Sequence, residues 1–186
     1  MHLNIRTNFP DVVDALGRLQ DQLASQVLAR SLNRTMEQAR TAMSREIRSE
    51  FNLPAAYVRE RLQIRKAFAR SGQFSLQAEL IGGDGRRRSA NVIRFGARPG
   101  AAGVSVLIRK GGRKEIKGSF IGNKGRTVFR RTGDKRLPIE PVQTIDVAQM
   151  FNTRRINAAV VAAMRQKFPA IFERELRYAM TRAGLV

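Results

Sequence analysis

Apolar residues recur every three or four positions at both ends of this chain, while in the middle they alternate or cluster between glycines. Leu16, Leu19, Leu23 and Val27 open the first stripe, and Leu28, Leu32, Met36, Ala39, Met43 and Ile47 carry it to Phe51. Gln22, Arg30, Arg34, Gln38, Arg45 and Arg48 fill the remaining positions. This spacing predicts a long amphipathic helix, with Asp11 after Pro10 as its N-cap and Gly17 breaking off a short first helix. Pro54 disfavours helical geometry at Leu53 and ends the pattern. It then suits the first position of a short helix over residues 54–62.

The middle reads as β. Residues 73–80 alternate polar and apolar like a half-buried strand, and residues 91–95, 104–108, 120–121 and 127–129 are further β-rich runs. Gly122-Asn123-Lys124-Gly125 separates the last two as a turn, and glycines punctuate the whole stretch from Gly82 to Gly133. Residues 82–90 and 96–103 are expected to be mobile arms. A helical stripe resumes with Ile156, Val160, Ala163, Met164, Phe168, Ile171, Phe172, Leu176 and Ala179. Pro169 should kink that helix or split it, and Asp146 should cap a shorter one over residues 147–151. The fold class is therefore α+β: a long N-terminal amphipathic helix, a central antiparallel β-sheet with basic loops, and C-terminal helices packed on the sheet. At 186 residues the expectation is one domain, helical over 1–62, β-rich and basic over 63–145, helical over 146–186.

Composition removes most chemistry. There is no Cys and a single His, His2, so thiolate or His-rich metal sites and Ser-His or Cys-His nucleophiles are excluded. Glu37, Glu46, Glu50, Asp146, Glu173 and Glu175 sit at helical positions among arginines, as ordinary surface pairs do. Residues 118–124 resemble a phosphate loop only loosely. Asn123 stands where the second Gly is needed, Gly125 where Ser or Thr is needed, and no helix pattern follows. Neither an enzyme nor a cofactor is expected. The first six residues lack an apolar run, and no stretch approaches the ~20 apolar residues that span a bilayer, so no secretion signal or membrane partner is expected.

Charge changes the picture most. Residues 86–136 hold sixteen of the thirty-five Lys and Arg against only Glu115 and Asp134, so this stretch carries +14 of the +20 net charge. The candidate contact residues are Arg86, Arg87, Arg88, Arg109, Lys110, Arg113, Lys114, Lys124, Arg126, Arg130, Arg131, Lys135 and Arg136. They could neutralise phosphates irrespective of sequence, or dock acidic protein surfaces. Phe74, Phe95, Phe120 and Phe129 read as strand-core residues and Trp is absent, so base stacking lacks candidates and any DNA contact should be to backbone.

The residues also carry a resemblance. Ser31-Leu32-Asn33-Arg34-Thr35 with Gln38-Ala39-Arg40-Thr41-Ala42-Met43-Ser44-Arg45-Glu46-Ile47-Arg48 resembles the N-terminal helix of tailed-phage minor tail protein Z, a tail completion family. Tyr57-Val58-Arg59-Glu60-Arg61-Leu62, Lys114-Glu115-Ile116-Lys117-Gly118-Ser119-Phe120-Ile121 and Arg136-Leu137-Pro138-Ile139 are similar to that family's body. Val147-Ala148-Gln149-Met150 and Phe172-Glu173-Arg174-Glu175-Leu176 are similar to its C-terminal helices. The resemblance implies a structural virion protein of the tail neck that caps the head-proximal end of the tail tube and helps join tail to head. It implies a homohexameric ring around the DNA channel. Its partners would be other copies of itself, the tail tube or terminator protein and head–tail connector proteins, with genomic DNA in the lumen as a further candidate. Localisation would be the virion, after assembly in the host cytoplasm. The alternative is a sequence-independent nucleic-acid-binding protein acting through phosphate contacts.

Overall fold

A computed structural model describes residues 2–4, 21–70, 73–83 and 89–184. The Asp11 cap and the Gly17 break lie outside them. The chain gathers into two compact units, one of Met1–Met43, Leu62–Gly82 and Asn157–Val186, the other of Ser44–Arg61 and Gly83–Ile156.

In the first unit, helix α1 (Asp21–Glu50) buries Val27, Leu32, Met36, Ala39 and Met43, the stripe its spacing predicts. Ser31 and Thr35 are buried with them. Each hydroxyl donates to the carbonyl four residues back, Val27 O and Ser31 O, both at 2.8 Å, so neither is left unsatisfied. Strands β1 (His2–Asn4), β2 (Leu62–Arg65) and β5 (Glu79–Gly82) form an antiparallel sheet in the order β1-β5-β2. Strands β3 (Phe68–Arg70) and β4 (Gln73–Ser75) form a hairpin. The expected strand over residues 73–80 is therefore two strands. Its alternation fails at Ala78, Glu79 and Leu80, consecutive buried residues entering a central strand that is covered on both faces.

Helix α4 (Arg154–Arg182) contributes Val160, Met164, Phe168, Ile171, Phe172 and Ala179 to the same unit's interior. Pro169 does not split it, contrary to one expectation. The residue is exposed, so the Arg165 carbonyl it strands can be hydrated. Arg34 Nε meets Glu175 Oε1 at 2.8 Å, joining α1 to α4.

The second unit begins with the end of α1 and helix α2 (Ala55–Glu60). Pro54 is the N-cap rather than the first helical residue, and Leu62 already belongs to β2. Its strands are β6 (Ser89–Asn91), β7 (Arg98–Pro99), β8 (Gly103–Val106), β9 (Lys114–Lys117), β10 (Ser119–Gly122), β11 (Thr127–Arg131), β12 (Ile139–Pro141) and β13 (Gln143–Ile145). They pair as three small antiparallel sheets, β7-β8-β9, β10-β11-β12 and β13-β6. The middle is thus a set of small sheets where one was expected. Val92, Val104, Val106 and Val128 form the core of this unit, flanked by Ile93, Ile108, Ile116 and Ile121.

The expected β-run over residues 91–95 is instead a 3-10 helix, Val92–Phe95. Asn91 Oδ1 accepts from Ile93 N at 3.1 Å, and Gly96 closes the turn in the left-handed region. The same carboxamide reaches across to β11: its Nδ2 donates to Val128 O at 3.1 Å, and Val128 N donates to its Oδ1 at 2.9 Å. Residues 96–103 are not an arm, because β7 pairs with β8 there. Of the other expected arm, residues 84–88 lie outside the described residues. Helix α3 (Val147–Phe151) has the predicted Asp146 cap, completed into a capping box by Gln149.

Candidate functional site

The basic stretch lies wholly within the second unit. Its candidates Arg86, Arg87 and Arg88 lie outside the described residues. The other ten, Arg109, Lys110, Arg113, Lys114, Lys124, Arg126, Arg130, Arg131, Lys135 and Arg136, are all exposed. They sit on the connections between β8 and β9, β10 and β11, and β11 and β12, on the end of β11 and, for Lys114, at the start of β9. Arg98 on β7 and Lys117 on β9 add two exposed cations. Those two belong to the same charge run but stand inside strands that the sequence reading did not register.

Among the described residues, no ion pair uses a cation of residues 89–136; those present join other segments, as in Arg65–Glu79 and Arg155–Glu50. Several of the cations are held by other means. Arg113 donates from Nε to Ser105 Oγ at 2.9 Å and from Nη2 to the Gly96 and Ser105 carbonyls at 2.7 Å each, pinning the β8–β9 connection. The Arg109 guanidinium lies 5.3 Å from the centre of the Phe51 ring, and Arg131 lies 4.8 Å from that of Phe120. Arg109, Arg113 and Lys114 line a cavity of about 470 Å³ whose floor is Val106 and Ile108. Gly111 and Gly112 also line it.

Lys124 marks the tip of the β10–β11 hairpin. Both Asn123 (φ 51°) and Lys124 (φ 53°) are left-handed, a conformation Asn tolerates and Lys rarely adopts. Gly125 N donates to Gly122 O, and Arg126 N to Asn123 O, each at 3.1 Å. On the sheet behind that turn, Phe120 and Phe129 are half-buried rather than in the core, their ring centres 6.0 Å apart. The register explains this: Val128 and Ile121 point inward, so Phe120 and Phe129, opposite each other, point outward.

A separate cluster near Asp146 escaped the sequence reading because its members are far apart in the chain. The Tyr57 hydroxyl donates to Asp146 Oδ1 at 3.1 Å, and Arg61 Nε to Oδ2 at 3.4 Å. Arg61 also lies flat on the Tyr57 ring, 3.6 Å from its centre. Burial raises the Tyr57 pKa above its ordinary 10.0, and the Asp146 charge adds to that shift. Every polar contact here is made within the fold, so the cluster is a structural tie. The buried carboxylates Glu79, Asp146 and Glu175 are all partnered by arginine, and among the described residues no group of His, Cys, Asp or Glu could hold a metal. No helix among them is long and apolar enough to cross a membrane.

The site is thus an exposed cationic surface on an α+β body whose buried carboxylates are paired with arginines. Residues 9–183 match the family model described as prophage minor tail protein Z (GPZ), and the chain belongs to that family. It is accordingly a structural protein of a phage tail, a component of the virion. No curated protein and no solved structure matches the chain.

Proposed function

We propose that the protein completes the tail at its head-proximal end and helps join tail to head, as a ring of copies around the DNA channel. The chain acts in this reading as a single domain over residues 1–186, with α1 and α4 each contributing to both compact units. The observation that carries the reading is the set of ten exposed candidate cations that form no ion pair among the described residues, in a member of a tail protein family. Such cations favour acidic neighbours: the tube, the connector, or DNA passing through the lumen. Lys124 supports the same view, since a cation held at the hairpin tip in a costly conformation is most simply explained by a contact it makes. Imaging the native particle tests the position and symmetry directly. A particle carrying Lys124→Glu with Arg126→Glu should fail at head–tail joining; normal infectivity would count against the placement.

The same exposed cations also favour a second reading, a module that binds nucleic acid through phosphates alone. That module should bind duplex DNA of any sequence as an isolated subunit, with affinity falling by about 0.9 log unit per contacted phosphate for each tenfold rise in salt.

A further inference from the structure

A groove in the first unit, remote in sequence from the basic stretch, has the makings of a strand-accepting site. Asn33 on α1 treats Ala67 as a strand partner would: its Nδ2 donates to Ala67 O at 2.9 Å, and Ala67 N donates to its Oδ1 at 2.8 Å. Backbone groups alternate in direction along a strand, so Ala69 turns its N–H and C=O the same way as Ala67, away from β4. Nothing among the described residues pairs with them. A cavity of about 470 Å³ is lined by Ala29, Arg30 and Asn33 of the helix and by residues 67–70. A second cavity of about 390 Å³ shares Arg30 and Asn33 and continues to Glu175 and Tyr178 on α4.

Two further features point to an occupant. Phe68 and Tyr178, 48% and 54% exposed, are two of the three exposed large hydrophobics among the described residues; Phe68 lines the first cavity and Tyr178 the second, which meet at Arg30 and Asn33. Arg30 and Arg70 line it, both exposed and neither in an ion pair among the described residues, whereas Arg34 is already spent on Glu175. The site therefore offers a strand-edge N–H and C=O, two exposed aromatic side chains and two exposed positive charges.

We propose that this groove takes an extended, acidic segment of a partner protein by strand addition to the edge of β3 opposite β4. Its backbone pairs with Ala69, its carboxylates meet Arg30 and Arg70, and its apolar side chains rest against Phe68 and Tyr178. The surface uses no residue of the basic stretch, so it stands or falls apart from the reading above.

The test uses the full chain, isotope-labelled, and a short peptide of alternating glutamate and valine. Fluorescence anisotropy should show saturable binding, and the Ala69 amide should become protected from hydrogen exchange. Arg30→Glu with Arg70→Glu, both at exposed positions, should weaken binding about tenfold or more. Tyr178→Ala should weaken it as well while leaving the circular dichroism unchanged. A lysine–valine peptide should not bind. The proposal is overturned if the acidic peptide does not bind, if Ala69 exchanges as fast with it as without it, if the lysine peptide binds equally well, or if oligo(dT) rather than peptide occupies the groove.

Discussion

Replacing Asp146 with Ala should be among the most damaging single changes outside the aliphatic core, and its cost can be assembled from the contacts. Asp146 is 3% exposed. Its Oδ1 accepts from Val147 N at 2.7 Å, and losing such a cap typically costs about 1 kcal/mol. The Tyr57 hydroxyl and the Arg61 guanidinium would lose their acceptor, and each buried donor so orphaned costs about 1–3 kcal/mol. Arg61 keeps 17% of its side chain in water and remains stacked on Tyr57, so its share falls at the low end. The sum is about 3–5 kcal/mol, a fall in Tm of roughly 10–15 °C for a chain of this size. Asp146→Asn keeps a cap and an acceptor but removes the charge, and should cost about 1–2 kcal/mol. Urea unfolding followed by far-UV circular dichroism measures both, and a cycle with Tyr57→Phe isolates the hydroxyl's part. If Ala costs under about 1 kcal/mol, or Asn costs as much as Ala, the account of this cluster is wrong.

Three other outcomes follow from particular contacts. In Gly103→Ala the new Cβ would run into the Ile116 carbonyl across β8 and β9, so destabilisation of about 2–4 kcal/mol is expected in the same urea assay. Lys124→Gly relieves a left-handed lysine and should stabilise the isolated protein by about 1 kcal/mol while weakening head–tail joining; lower stability would remove the strain from the argument. The folded state holds the Tyr57 proton more tightly than the unfolded chain does. Stability is therefore unaffected by this group below pH 10.0 and declines as pH rises beyond it. In a Tyr178→Phe background, phenolate absorbance should rise with a midpoint above 10.0, and a midpoint at or below that value would contradict the burial of Tyr57.

Helix α1, the Asp146 cap and the turn at residues 122–125 were legible because each is fixed by neighbours in sequence: a three-to-four spacing, a capping side chain, residues that tolerate positive φ. The 3-10 helix at Val92–Phe95 was not. Its β-branched residues suit a strand, and the decision rests on Asn91, whose carboxamide is also engaged with Val128 thirty-seven residues away. Pro169 left a kink or a split open, and the helix is not split, since whether a helix survives a proline depends on which face the stranded carbonyl meets. The charge run was plain in the sequence, but which of its members are already held, as Arg113 is by Ser105 and Gly96, depends on the register of β8 and β9. The groove beside β3 was invisible, because Asn33, Ala69 and Tyr178 meet only through tertiary packing.

That no cation of residues 89–136 forms an ion pair among the described residues has a thermodynamic corollary. Cations with no fixed neighbour of opposite sign are balanced in solution by a cloud of small mobile anions. A partner that docks there with fixed negative charge sends that cloud back to the bulk, and the gain is the mixing entropy of the freed ions. Such a driving force varies little with temperature and shrinks with the logarithm of the salt concentration. The partly buried pairs that hold the helices, such as Arg34 with Glu175, are screened far less. Ionic strength is therefore a control that acts on docking while leaving the folded subunit intact.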